Sequence, residues 1–212
     1  MSERDGNTEI YTMEADGTDL LRLTSTPEEE RMPDWAPVPS ANVTVTATDN
    51  AFTPGSVTAR PGDRVRWRFA GPSVHTATDR TGMGLFGSGS VPPGGSYAFA
   101  FVSAGSYPYA CLLHSEMRGA IEIAVLARPG SGGQSTEFTI TWADTAAPTR
   151  FVYDVQLKRP ESTFIDWMTG ESAGAATFVA DAGRGAYVFR ARLRNAGGDA
   201  SDYPRGTSIQ VR

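Results

Sequence analysis

The sequence predicts an all-β protein made of β-sandwich or barrel domains. Apolar residues alternate with polar or small residues in successive short segments, and this period of two is typical of half-buried strands. Clusters of proline and glycine separate the segments, for example at residues 60–63 and 92–95. Residues 41–127 contain no apolar stripe of useful length with the helical period of 3.6. Short strands joined by such turns favour a sandwich.

Composition divides the chain into three segments. A proline-rich stretch at residues 33–39 ends an N-terminal segment, residues 1–39. A glycine-rich stretch at residues 128–134 is predicted to be a linker. We therefore expect one domain at residues 40–127 and a second at residues 135–212.

Both predicted domains contain clear alternating runs. The runs of the first domain are Val43/Val45/Ala47, Val65/Trp67/Phe69, Tyr97/Phe99/Phe101 and Ile121/Ile123/Val125. Those of the second are Phe138/Ile140/Trp142, Phe151/Tyr153/Val155/Leu157 and Tyr187/Phe189/Ala191/Leu193. Arg190, Arg192 and Arg194 fall on the opposite face of the last run, where they form either a solvated sheet surface or a docking surface.

The charge distribution excludes one large class of function. The net charge is −5, and residues 1–40 contain ten acidic and three basic residues. No segment has a marked basic surplus, so the sequence gives no electrostatic indication of nucleic-acid binding. No run of 18 apolar residues predicts a transmembrane helix. The first residues lack the features of a secretion signal, and one explanation is that the chain is a fragment of a longer protein.

Three metal-binding side chains lie within seven residues of each other. They are Cys111, His114 and Met117, and Cys111 is the only cysteine of the chain. The only other histidine, His75, follows a predicted strand. Each residue taken alone is more often structural than functional. Together, two imidazoles, a thiolate and a weak thioether suit a copper electron-transfer site, with zinc as the competing metal.

The segment around these residues resembles the ligand loop of the cupredoxins, the small blue-copper proteins. The matching pattern is Gly105-x-Tyr107-x-Tyr109-x-Cys111-x-x-His114-x-x-Met117-x-Gly119-x-Ile121, and its ligand spacing is most similar to that of amicyanin. Phe52-Thr53-Pro54 and Pro61-Gly62-Asp63 resemble the family's N-terminal strands. The resemblance implies a Greek-key sandwich with one type 1 copper ion. It further implies that His75, Cys111 and His114 are equatorial ligands and that Met117 is the axial ligand.

The resemblance also implies a redox partner that docks near His114. Leu85-Phe86 and Leu112-Leu113 form either an apolar rim around that histidine or part of the core. Thr76 stands where many relatives have an asparagine that helps to secure the ligand loop. The hydrogen bonds around the ligands are therefore expected to differ from those of the relatives. The hydroxyl of Thr76 can still form a hydrogen bond to the ligand loop.

The flanking segments resemble other extracellular modules. Residues 135–212 are similar to a fibronectin type III domain, an immunoglobulin-like sandwich, through Phe138-Thr139-Ile140-Thr141-Trp142 and residues 185–201. Residues 6–37 resemble one repeat of a TolB-type β-propeller. A single repeat cannot close a core by itself, so this segment is expected to be an orphan blade of a longer propeller or an additional packed strand.

Two classes of function follow from these expectations. The first is a one-electron carrier in a modular protein that is extracellular, periplasmic or in the cell envelope. The second is a binding or adhesion protein in which copper is stored, sensed or only structural. We do not expect an enzyme, because both histidines are already used at the proposed site. The sequence does not indicate an oligomeric state.

Overall fold

The computed structural model describes residues 11–12, 21–22 and 43–212. The chain divides into two units, residues 1–39 and residues 40–212, and each is considered by itself. Within the described residues every regular element is a β-strand. The predicted all-β fold of sandwich domains is confirmed.

The N-terminal unit contains one described strand pair. β1 (Tyr11–Thr12) and β2 (Leu21–Arg22) are antiparallel, with Tyr11 opposite Arg22. The other residues of the propeller-like segment lie outside the described residues, so the orphan-blade hypothesis stays a prediction.

The first sandwich contains eight strands. They are β3 (Val43–Thr48), β4 (Ala51–Thr53), β5 (Ser56–Ala59), β6 (Arg64–Phe69), β7 (Thr78–Asp79), β8 (Ser96–Ala100), β9 (Gly105–Ala110) and β10 (Arg118–Ile123). One sheet has the order β4-β3-β6-β8 and the other β5-β10-β9-β7. The β3–β6 and β5–β10 pairs are parallel, whereas the other neighbours are antiparallel.

Alternation in these strands supplies the first core. Val65, Trp67 and Phe69 of β6 are buried, while the residues between them are exposed. The Trp67 ring lies 5.4 Å from that of Phe86 and 5.3 Å from that of Tyr109, measured between centroids. Large aromatic side chains contribute much of the apolar area that such a core removes from water.

The second sandwich also contains eight strands. They are β11 (Leu126–Arg128), β12 (Ser131–Gly132), β13 (Glu137–Thr141), β14 (Phe151–Lys158), β15 (Phe164–Glu171), β16 (Ala175–Val179), β17 (Gly185–Asn195) and β18 (Thr207–Val211). The order β11-β13-β16 forms one sheet, and β12-β18-β17-β14-β15 forms the other. Its apolar residues form a second buried cluster that includes Phe138, Trp142 and Phe189.

The structure differs from the predicted linker at residues 128–134. β11 pairs with β13, and β12 pairs in parallel with β18, so this stretch belongs to the sheets of the second sandwich. Glycine and serine carry no apolar alternation, and therefore composition cannot reveal strands that are held only by backbone hydrogen bonds to their neighbours. Val125, predicted to end a strand of the first domain, is buried in the second core.

Tyr187 stabilises one corner of the second sandwich. Its hydroxyl donates a hydrogen bond to the carbonyl of Gly183 at 2.9 Å and accepts one from the amide of Ala182 at 2.8 Å. Tyr187 lies near the start of β17, and the bond returns to the backbone four residues upstream. This arrangement resembles the tyrosine corner of immunoglobulin-like sandwiches.

The arginines of the predicted face form hydrogen bonds within their own sheet. Asp154 is buried and accepts hydrogen bonds from Arg194 at 2.7 and 2.9 Å and from Arg192 at 3.2 Å. Arg190 donates to Gln156 and lies over the ring of Phe164. These contacts favour the solvated sheet surface over the docking surface.

Backbone hydrogen bonds join the two sandwiches. The amide of Ala104 donates to the carbonyl of Trp142 at 2.6 Å, and Ser106 and Asp202 exchange two bonds of 2.8 and 3.0 Å. Ser106 belongs to β9, so the second sandwich braces the strand that leads to Cys111. In the part of the chain that the structure describes, there is no helix long and apolar enough to cross a membrane.

Candidate metal centre

His75 is fixed by the backbone on which it stands. Its amide donates to the carbonyl of Val91 at 3.1 Å, and the amide of Val91 donates back to His75 at 2.9 Å. The side chain is fully buried. The ring is therefore held within the first sandwich and does not extend into solvent.

The other donors lie on a short loop between β9 and β10. The amide of Cys111 donates to the carbonyl of Met117 at 3.0 Å, and the amide of Met117 donates to that of His114 at 3.1 Å. These bonds close the loop on itself. Cys111 and Met117 are buried, whereas His114 is half-buried.

Three of the four predicted ligands converge. The ligand atoms of His75, Cys111 and His114 all lie within 4.8 Å of one another. The sulfur of Cys111 is 3.5 Å from Nδ1 of His114 and 3.9 Å from Nδ1 of His75. Two ligands that share one ion, with bonds of about 2.0 and 2.3 Å at an angle of about 120°, are about 3.7 Å apart. The spacing and chemistry of the group fit a bound metal ion.

The environment of Cys111 favours its thiolate. Burial raises the pKa of the thiol, but hydrogen bonds to the sulfur, chiefly from the amides of Thr76 and Leu113, outweigh burial. Together they lower the pKa from 9.0 to about 6. Because the thiolate is the form that binds metals, the cysteine is ready to bind one at neutral pH.

Thr76 connects the two parts of the site. Its amide lies 3.3 Å from the sulfur of Cys111, and its hydroxyl accepts a hydrogen bond from the amide of Leu112 at 2.8 Å. The residue that differs from many cupredoxins therefore still secures the ligand loop through its hydroxyl.

Sequence analysis did not identify Asp49 as part of this region. Its Oδ1 lies 3.3 Å from Nε2 of His75. Asp49 is 26 residues from His75 in the chain, in the turn between β3 and β4. A lone aspartate in a turn carries no sequence signal for this contact, which depends on the packing of the strands.

Met117 is placed beside the other predicted ligands through its backbone bonds to Cys111 and His114, and its side chain is buried. Its role as a ligand stays a prediction. The proposed apolar rim divides into two parts. Phe86 belongs to the core beneath the site, whereas Leu112 and Leu113 are 59% and 52% exposed.

No protein-family model matches the sequence, and no curated protein matches it. Solved structures that resemble part of the chain include cupredoxins. Amicyanin from Paracoccus versutus is 28% identical over 41% of this chain and 84% of its own, with a TM-score of 0.36. A purple cupredoxin from Nitrosopumilus maritimus is 19% identical over 39% of this chain and 100% of its own, with a TM-score of 0.37.

A copper-containing nitrite reductase from Thermus scotoductus SA-01 is also similar to part of the chain. It is 21% identical over 47% of this chain and 24% of its own, with a TM-score of 0.35. Each of these three similarities covers less than half of the chain.

Proposed function

We propose that the first sandwich binds one copper ion in a type 1 site and serves as a one-electron carrier. The observation that carries this proposal is the convergence of one thiolate and two imidazole nitrogens, from His75, Cys111 and His114. Met117, on the same closed loop, is proposed as the axial ligand. A thiolate with two imidazoles and a weak thioether is the donor set of copper electron-transfer sites.

The protein's part in this function is to hold the donors still. Copper, when bound, supplies a one-electron redox couple. His75 is held by backbone bonds to Val91, and the ligand loop is closed by its own bonds and by Thr76. Burial of His75 and Cys111 keeps water away from two of the three donors. Donors that are held in place and shielded from water need little rearrangement when the copper ion gains or loses an electron, which supports the carrier function.

The alternative is that the metal is stored, sensed or only structural. Storage and sensing favour donors that are exposed or separated before the metal binds. Here the donors are close together and mostly buried within the sandwich, which favours the carrier. We also propose that the protein is not an enzyme by itself, because both histidines of the chain belong to this site and none remains for a second copper.

The test is a titration of the purified protein with Cu(II), followed by visible absorption and electron paramagnetic resonance. We expect one equivalent to produce the intense thiolate-to-copper charge-transfer band of a His₂Cys site. The matched control is Cys111→Ser, which removes the thiolate and should lack the band. Absence of the band from the unmodified protein, or its persistence in the control, would contradict the proposal.

A second variant examines Met117. Because the thioether is a weak axial ligand, Met117→Leu should keep the visible band and raise the reduction potential of the copper protein. Loss of copper binding in Met117→Leu would show that Met117 contributes more than an axial ligand.

We propose that a redox partner docks on the surface around His114. Val74, Leu112 and Leu113 are exposed apolar residues that neighbour the ligands in the chain. A Leu113→Glu variant should slow electron exchange between copies of the copper protein and leave its spectrum unchanged. An unchanged exchange rate would exclude Leu113 from the docking surface.

We infer from the sequence resemblances that the protein works outside the cytoplasm, in the periplasm, the cell envelope or the extracellular medium. Residues 135–212 are proposed to act as a fibronectin type III-like spacer or binding platform. The tyrosine corner at Tyr187 and the grouping of three and five strands support that assignment. Fractionation of cells that express the full-length protein tests the location.

A further inference from the structure

The outer nitrogen of His75 has a single partner. Nε2 lies 3.3 Å from Oδ1 of Asp49, and this is the one hydrogen bond of Nε2 among the described residues. The other ring nitrogen, Nδ1, faces the sulfur of Cys111 at 3.9 Å. Asp49 therefore contacts His75 on the side of the ring away from the other donors.

The chemistry of the two groups determines the form of the ring. A carboxylate oxygen can only accept a hydrogen bond, and Oδ1 of Asp49 lies closer to the ring than the sulfur of Cys111 does, at 3.3 Å against 3.9 Å. The proton of the neutral ring is therefore assigned to Nε2, which donates a hydrogen bond to Asp49. A neutral imidazole carries one N–H, and Nδ1 is then left with a free lone pair. That lone pair is directed toward the sulfur of Cys111, where a metal ligand is needed.

Asp49 is itself held in place by the segment that precedes His75. The amide of Ser73 donates to the same Oδ1 at 3.3 Å. Gly71 lies so close that a Cβ atom on it would be 2.7 Å from Oδ1 of Asp49 and 2.8 Å from the Asp49 amide nitrogen. A glycine is needed here because of this close approach. The β3–β4 turn and residues 71–75 therefore pack as one unit.

The exposure of Asp49 does not make the contact irrelevant. Its side chain is 40% exposed, and ion pairs at such sites contribute little to stability. The histidine, however, is fully buried. Without Asp49, the N–H at Nε2 of His75 would lose its partner, and the sulfur of Cys111 would be the one acceptor left beside the ring among the described residues, so the proton would no longer be held on Nε2. The contact is therefore important for the form and orientation of the ring rather than for stability.

We propose that Asp49 is a positioning residue that sets the tautomer and orientation of His75 and so presents Nδ1 to the metal. The proposal rests on the proposed copper function for its consequence, but the tautomer itself can be observed without metal. Partners of this kind commonly change metal affinity about 10- to 100-fold when they are removed.

The experiment compares Asp49→Ala with Asp166→Ala, a control at an exposed aspartate of β15 in the second sandwich. Nitrogen-15 chemical shifts of the histidine rings in the metal-free protein report which nitrogen carries the proton. We expect His75 to be protonated on Nε2 in the unmodified protein and in the control, and to become a mixture of tautomers in Asp49→Ala. Cu(II) affinity, measured by competition with a chelator, should fall about ten-fold in Asp49→Ala alone.

The two measurements separate the two proposals. If the unmodified protein forms the copper band but Asp49→Ala keeps both the tautomer and the affinity, the positioning role is wrong and the copper site stands. If the tautomer shifts as expected but the unmodified protein forms no copper band, the positioning role stands and the copper function is wrong.

Discussion

The two sandwiches have the same architecture but use their polar residues differently. Each has an aromatic core around a buried tryptophan, Trp67 in the first and Trp142 in the second. In the first sandwich, the segment that carries His75 and the loop that carries Cys111 and His114 bring three metal-binding atoms within 4.8 Å of one another. In the second, the buried carboxylate of Asp154 is fully paired with arginines and a backbone amide. The difference shows that the chemistry is in the loops, whereas the sandwich supplies support.

The largest expected effect comes from truncating either central tryptophan. Trp67→Ala and Trp142→Ala should each lower the free energy of unfolding by about 3–5 kcal/mol, because each leaves a large cavity. Only Trp67→Ala should alter the visible spectrum of the copper protein, since Trp67 packs on Tyr109, two residues before Cys111. The measurements are chemical unfolding and absorption. An altered spectrum in folded Trp142→Ala would show that the second sandwich also shapes the site.

A second prediction concerns the pH dependence of the metal-free protein. The pKa of Cys111 is about 6 in the folded protein, against an ordinary value of 9.0. Ionisation of the thiol therefore stabilises the folded protein. This stabilisation is fully present above pH 9.0 and is lost as the pH falls toward 6. Between about pH 6 and pH 8 the gain is about 2 kcal/mol. The free energy of unfolding of Cys111→Ser should lack this pH-dependent gain. If the free energy of unfolding of Cys111→Ser changes with pH as steeply as that of the unmodified protein, the pH dependence belongs to another group.

The paired carboxylate of the second sandwich provides the matching test. Hydrogen bonds from Arg194 hold the pKa of Asp154 below its usual range, against the opposing effect of burial. Asp154→Asn should cost about 2 kcal/mol near neutral pH, because charged hydrogen bonds are lost. The cost should begin to shrink as the pH falls below about 4, where the carboxyl of the unfolded chain takes up a proton, and should be lost as the pH falls through the lower pKa of the folded carboxyl. A changed copper spectrum in Asp154→Asn would contradict the inference that the second sandwich does not shape the metal site.

The smallest effect is expected at Thr76. Thr76→Val removes the hydroxyl that accepts from the amide of Leu112, at a cost of about 1 kcal/mol. The ligand loop should loosen, and the copper spectrum should broaden. Thr76→Ser keeps the hydroxyl and serves as the control. If valine and serine behave alike, the hydroxyl does not secure the loop.

Much of the site could be predicted because its residues are chemically rare in this chain. One cysteine and two histidines leave few ways to build a soft donor set, and the loop that carries Cys111, His114 and Met117 is continuous in sequence. The convergence of His75 with this loop was predicted by elimination and by resemblance. The strand at Ser131–Gly132 was missed because glycine and serine carry no apolar alternation, and the strand at Leu126–Arg128 was missed because three residues are too few to show a period of two.

The sequence by itself determined the all-β fold, because strand alternation is a local property of side chains. It also predicted the three side chains that converge in the structure, His75, Cys111 and His114. Only the tertiary structure decided that Asp49 meets His75, that Thr76 secures Leu112 and that Phe86 lies in the core rather than on the rim. These contacts join residues distant in the chain, and they depend on how the two sheets pack, which local patterns do not specify.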